Sequence, residues 1–302
     1  MARQQKAGLA ALVVSWVVSG LMLATPLAHA AEPTVLPRAG QWVINYDQNS
    51  CQLAGEFGQD KQSVAMVLTW FAPERAPYFQ LVGERFRAVL PETKMRVHFP
   101  PAGKPVPNTA RAARIGKAYG VIFQSDMPHV PSEKSRQPSD SHGPFGDTAA
   151  EDGIEGIRIY GVPYGAIELA TGKFAKPMAA VRTCLRDLIK SWGYDPDVQI
   201  KRKSGPVSKV SVAFLAERLG RQYPAVLDSM GYDGYVQIRT DVSETGTVLG
   251  CHPIFRTLTP IDPEAYSRIV CKVMTESETF EPARDADGAP IRSYMIRRIV
   301  FE

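Results

Sequence analysis

Apolar and polar residues alternate with a period of two in a series of short runs, the spacing of strands that bury one face. Trp42-Val43-Ile44-Asn45-Tyr46 is the first such run. In residues 64–71, Val64, Met66, Leu68 and Trp70 alternate with Ala65, Val67, Thr69 and Phe71. Both sets are largely apolar, so this strand is expected to be buried on both faces. Residues 78–83, 95–99, 119–124 and 157–160 read as further strands. The period becomes helical over residues 179–192, where Val181, Cys184, Leu185, Leu188 and Trp192 share one face and Gly193 supplies a stop. Between Met127 and Gly156, Pro, Ser, Asp, Glu and Gly displace most apolar residues, which predicts a long mobile loop.

A Lys-, Pro- and Ser-containing stretch, residues 195–210, reads as a linker between a β-rich domain (41–194) and a second domain (211–302). In the second, Pro224 suits the first position of a short helix ending before Gly231. From Gly234 a strand runs to Val242, with Val236, Ile238 and Val242 facing one way and Gln237, Arg239 and Asp241 the other. Ser243-Glu244-Thr245-Gly246 is a hairpin loop, followed by a return strand over 247–256. Asp262 and Pro263 open a helix whose buried stripe is Ala265, Ile269, Val273 and Met274. In the last strand, 291–302, Ile291, Met295, Ile299 and Phe301 oppose Arg292, Tyr294, Ile296, Arg298 and Val300. The expected fold class is therefore α+β: a β-rich N-terminal domain, then a small domain with two helices on a three-stranded antiparallel sheet.

Composition adds little to this, but the N-terminus adds a destination. Arg3 and Lys6, an apolar run over 9–23, and Ala28-His29-Ala30 predict a secretory signal peptide over residues 1–30 and a periplasmic location. An uncleaved inner-membrane anchor is the alternative; the run is shorter than the ~20 residues a span needs. The net charge of +4 falls to +2 without Arg3 and Lys6, which excludes nucleic acid as the main partner. In an oxidising compartment the four cysteines are expected as Cys51–Cys184 and Cys251–Cys271, one bond in each domain. Cys184 lies on the apolar helix face, and Cys251 on a strand that the helix bearing Cys271 should cover.

Gln222-Tyr223-Pro224, the Gly234 strand opening, the hairpin from Asp241 to Gly246 and Phe280-x-Pro282 occur in an order and spacing that resemble the TonB C-terminal domain family, over residues 220–302. The resemblance implies a periplasmic domain that pairs its terminal strand with an extended peptide, in TonB itself the TonB box of an outer-membrane transporter. By position it assigns binding to Gln222, Tyr223, Pro224, Arg292, Tyr294, Ile296, Arg298 and Val300. Where the family has an uncleaved N-terminal anchor, a cleavable signal is expected here, and the given sequence shows no long Pro-, Glu- and Lys-rich spacer.

No catalytic pattern survives inspection. Asp147-Thr148-Ala149 resembles an aspartic-protease triplet but lies in the polar loop without a second copy. Thr171-Gly172-Lys173 lacks the remaining residues of a phosphate loop. Cys251 and His252, adjacent on a strand, point to opposite faces. His98, His129, His142 and His252 lack ligand spacing, and no cofactor or metal is expected. Arg85, Arg87, Lys94, Arg96, Arg111, Arg114 and Lys117 make the first domain locally basic, either as a solvated face or as a contact for an acidic envelope polymer or lipid headgroups. The leading expectation is a non-enzymatic protein that binds an extended peptide or edge strand of an envelope or outer-membrane protein, in or alongside TonB-dependent transport. The alternatives are a periplasmic hydrolase or carbohydrate-active protein docked by the C-terminal part, and a homodimeric envelope scaffold joined through the terminal strand.

Overall fold

In the first half of the chain the alternating runs become nine strands that close on themselves. The structure, a computed structural model, describes residues 32–128, 145, 148–222, 234–256 and 263–301. The strands are β1 (Thr34–Tyr46), β2 (Cys51–Phe57), β3 (Val64–Trp70), β4 (Tyr78–Val82), β5 (Glu92–Phe99), β6 (Ala102–Ile115), β7 (Ala118–Gln124), β8 (Ile157–Tyr160) and β9 (Ile167–Ala170). They form a closed barrel in the order β1-β2-β3-β4-β7-β6-β5-β8-β9. Neighbours are antiparallel except at the closure, where β9 returns to β1 in parallel, with Thr34 opposite Ile167 and Pro37 opposite Ala170. Closure removes exposed sheet edges. The alternation delivers Leu53, Met66, Leu68, Phe79, Leu81, Val97, Ile157 and Ile159 to one core, each worth about 1.5–3 kcal/mol when fully buried.

Between β7 and β8 the described residues include a short helix, α1 (Ala149–Asp152); the polar loop expected over 127–156 falls mostly on residues outside those described, as does Asp147. Helix α2 (Ala175–Ser191) begins four residues before the sequence reading. It lies against β1 and β2, burying Met178, Val181, Leu185, Leu188 and Ile189. The Cys51–Cys184 disulfide ties it to β2, with Cα atoms 6.0 Å apart.

The stretch read as a linker is structured. It forms α3 (Pro196–Lys201) and β10 (Val207–Ser208), and α4 (Val212–Gln222) follows. Three longer strands, β11 (Gly234–Val242), β12 (Val248–Arg256) and β16 (Ser293–Phe301), make an antiparallel sheet in the order β12-β11-β16. Helix α5 (Pro263–Ser277) covers one face and is bonded to β12 by Cys251–Cys271. Short pairings complete the chain: β13 (Phe280–Glu281) with β10, and β14 (Ala283–Arg284) with β15 (Pro290–Ile291).

The expected fold class is corrected. The protein is mostly β, dominated by a closed nine-stranded barrel, and residues Glu32–Glu302 form one compact unit rather than a β-rich domain followed by a free-standing small α+β domain. Ile254, Tyr294 and Ile296 of the three-stranded sheet belong to the barrel's own core. Two causes misled the sequence reading. In the barrel, strands β2 and β9 are short and went unread although their residues alternate, and β6 lacks an alternating signature. In the sheet, the polar face of β11 is buried.

Candidate functional site

Where α2 ends, the chain runs into a seam between barrel and sheet. Trp192 and Tyr194, both buried, follow the helix directly. Asp195 then caps α3, its carboxylate accepting from the backbone N–H of Asp197 (2.8 Å) and Val198 (3.4 Å), with Pro196 in the first turn. The cap fixes the direction of α3 and so aims Gln199 and Arg202 at the sheet.

Asp241 on β11 is the hub, 6% exposed. Its carboxylate accepts from Arg239 Nε (3.0 Å) and from the Tyr194 hydroxyl (2.9 Å), and it lies 3.0 Å from His252 Nε2. Gly250 lies opposite Asp241, and a Cβ there would stand 3.0 Å from His252 Nε2, so the imidazole would have to shift by a few tenths of an ångström. Arg239 also lies over the Trp192 ring at 4.5 Å. Burial, then the Asp241 carboxylate, hold the Tyr194 phenol above its usual range, so it stays a neutral donor.

A second network grips β16. The Tyr294 hydroxyl donates to Glu74 (3.1 Å), which also pairs with Arg202 (3.3 Å). Burial first, then the Glu74 carboxylate, push the Tyr294 phenol well up, against the opposing effect of Arg202. Gln199 donates to the Arg292 carbonyl (2.9 Å) and accepts from the Ser293 hydroxyl (2.7 Å), and Arg75 donates to the Ile296 carbonyl. Glu74 and Arg75 come from the barrel, Gln199 and Arg202 from α3. Barrel, connecting segment and sheet are thus joined by a network of buried and half-buried polar groups, in which Gln237 Oε1 and Trp192 Nε1 are left without a partner.

These contacts divide the residues assigned to binding. Tyr294 and Ile296 are buried in the seam, 0% and 3% exposed, and are out of reach of a partner. Arg292 is exposed with its guanidinium 5.1 Å from the Tyr194 ring. Arg298 and Val300 are exposed, and Arg298 lies over Tyr235 at 4.1 Å. Gln222 ends α4, half-buried and on a different element from the rest; Tyr223 and Pro224 lie outside the described residues.

The backbone of β16 is divided at the same point. In an antiparallel strand, alternate residues direct their N–H and C=O groups to the same side. Arg292 and Ile296 have their carbonyls engaged by Gln199 and Arg75 on the side away from β11, so Arg298 and Val300 also present their backbone to that side. Among the described residues no strand pairs there. The outer edge of β16 is therefore held by side chains in its first half and, among the described residues, has no strand partner around residues 298–300.

The open end has a defined chemistry. Tyr235 stacks on Phe255 (5.5 Å), Phe255 meets Phe71 (5.4 Å) and Phe71 meets Tyr78 (5.7 Å), a line of rings running from the sheet to the barrel. Burial, with Tyr78 next, raises the Tyr235 phenol to about 12, opposed by Arg298 and Arg111. The open strand end is thus aromatic on the barrel side and flanked by two guanidiniums.

The Cys251–His252 pair offers no free thiol. Cys251 is bonded to Cys271, and His252, on the opposite face of β12, meets a carboxylate. Sequence reasoning missed Glu74, Arg75, Tyr194, Gln199, Arg202 and the hub role of Asp241. The only local signal was Asp195-Pro196, a helix start inside the supposed linker. Both disulfides are the pairings expected from the sequence and fit an oxidising, exported environment; among the described residues no helix is long and apolar enough to cross a membrane. Compared with protein-family models, characterised proteins and solved structures, the chain matches none.

Proposed function

We propose that this is an exported binding protein without a reaction of its own, which captures an extended segment of another envelope protein along the open end of β16. The observation that carries the reading is the division of that strand. Its first half is immobilised by Tyr294, Ile296, Gln199 and Arg75, while the backbone at Arg298 and Val300 faces no strand among the described residues. A rigid half-strand pre-organises the open half, so that pairing orders little besides the incoming peptide. The resemblance of residues 220–302 to TonB C-terminal domains supports the same edge and suggests the partner, a segment of an outer-membrane transporter. The N-terminal pattern and the disulfides support a periplasmic location after removal of residues 1–30.

Photo-cross-linking in cells tests the reading. A photoreactive residue at 298 or 300 is expected to trap one envelope protein, and one at 222 to trap it weakly or not at all. Val300→Pro removes an outward N–H and is expected to abolish the trapping at 298. Trapping that survives this change in a folded variant contradicts strand pairing. Cross-links from 298 and 300 only to a second copy of the chain make the edge a homodimer contact instead.

A further inference from the structure

The barrel carries a second concentration of chemistry that strand capture does not use. Residues 84–117 hold eight Lys and Arg against two Glu, a net of +6 in a chain whose total is +4. The register of β5 explains where these charges go. Met95 and Val97 are buried, so Lys94 and Arg96 stand on the outer face, opposite Thr109 and Pro107 of β6, with Arg96 also opposite Tyr160 of β8. Lys94 Nζ donates to Thr109 Oγ1 at 2.9 Å, and the Arg96 guanidinium lies 5.5 Å from the Tyr160 ring. Within this segment the ion pairing among described residues is Arg111–Glu92 at 3.8 Å, both exposed; Lys94 and Arg96 have no acidic partner there.

These side chains line a cleft of about 530 Å³, with Asn108 and Pro107 completing its wall. The turn after β8 sets one boundary. Gly161 has φ +84°, and a Cβ there would stand 2.8 Å from the Lys94 carbonyl oxygen, so only glycine lets the turn press onto β5. The size is that of small-molecule sites. A planar guanidinium suits a carboxylate in bidentate contact, and the ammonium adds a second charge on the same strand face about 7 Å along. Tyr160 and Pro107 offer apolar surface to a sugar ring, and the Thr109 hydroxyl a hydrogen-bonding group. Two oriented cations in an open cleft, beside an aromatic ring and a hydroxyl, fit a chain of acidic sugars.

We infer that this cleft is a second binding site, and that its ligand is a carboxylate-bearing polysaccharide segment of the cell envelope. The residues that line the cleft are distinct from those assigned to the open end of β16.

The test uses the full-length mature protein and polygalacturonate as probe, with neutral dextran beside it, in about 150 mM salt, where diffuse surface attraction is largely screened. Affinity electrophoresis should show retardation by polygalacturonate and none by dextran. Lys94→Gln with Arg96→Gln should weaken the interaction about tenfold or more. Arg87→Gln with Arg114→Gln removes the same charge beside Tyr119, outside the cleft lining, and should change it less than about twofold. Arg96→Lys keeps the charge and loses the planar fork, and should give an intermediate loss. The inference is overturned if the wild-type protein is not retarded, or if both double variants lose binding equally. Binding to anionic phospholipid vesicles but not to the polymer also overturns it, and assigns the face to a membrane surface.

Discussion

Along its central strand β11 the three-stranded sheet is buried on both faces, by opposite means. Under α5, Val236, Ile238, Val270, Val273 and Met274 pack together, with Leu215 and Leu219 of α4 beside them and Cys251–Cys271 across the layer. Against the barrel, Gln237, Arg239, Asp241 and Ser293 are buried with Tyr294. The first face needs only apolar side chains of suitable volume. The second needs each charge met by a particular partner, because an unpaired buried charge costs several kcal/mol. The difference teaches that a polar strand face need not be a solvent face when partners elsewhere in the chain satisfy it.

The strongest challenge to this comparison is Asp241→Ala. It leaves Arg239 buried without its carboxylate and frees Tyr194 and His252, and is expected to cost about 3–5 kcal/mol in urea unfolding. A loss below about 1 kcal/mol would mean that the seam is wetter than its contacts indicate. On the apolar face, replacing Cys251 and Cys271 by Ser opens a loop of 20 residues and is expected to cost about 3 kcal/mol by the same measurement. The Cys51–Cys184 loop of 133 residues sets the upper reference, about 5 kcal/mol.

Away from the seam, Glu151 shows what burial does to a carboxyl group that is incompletely satisfied. It is buried, 3.5 Å from Arg182 Nη1, and its Oε2 accepts no hydrogen bond. Burial raises its carboxyl from 4.5 to about 7, opposed by Arg182 and assisted by Asp152. A raised carboxyl pKa means that the folded state holds more protons than the unfolded one between those values. This contribution is full below pH 4.5 and is lost as pH rises through about 7. Its amplitude is at most about 2–3 kcal/mol. Glu151→Gln should remove that part of the slope when stability is compared at about pH 5 and pH 7.5. An unchanged slope would show that Glu151 is ionised throughout. The smallest stability effect is expected from Val300→Pro, within about 0.5 kcal/mol of wild type, since the outward N–H of Val300 meets no strand. A cost above about 2 kcal/mol would mean that this edge is already paired.

Much of the local structure was legible. Gly234, the 243–246 loop and the alternation after Ser293 placed the three long strands, and Pro263 marked the start of α5. The disulfide pairings followed from expecting one bond on each side of the supposed linker, with Cys184 on an apolar helix face and Cys271 on the helix covering the Cys251 strand. Strand β6 was not legible, because Lys104, Pro105, Pro107, Arg111 and Arg114 imitate a loop, and its partners change along its length from β5 (to Arg111) to β7 (from Arg111). Barrel closure pairs Thr34 with Ile167, and no local pattern reports a contact at that separation. The binding strand was legible as an edge, but its division was not: Tyr294 and Arg298 share one alternation, and only Glu74, Arg75 and Gln199 distinguish them.

The central claim is that the polar face welds sheet to barrel, so that the two unfold together. Hydrogen exchange along β3 and β11, followed residue by residue in rising sub-denaturing urea, tests this most directly. The account predicts that the slowest amides of both strands merge into one opening, with the same free energy and the same urea dependence. Opening of β11 and β16 at a distinctly lower free energy, with β3 still protected, would contradict it and make the C-terminal sheet a domain of its own.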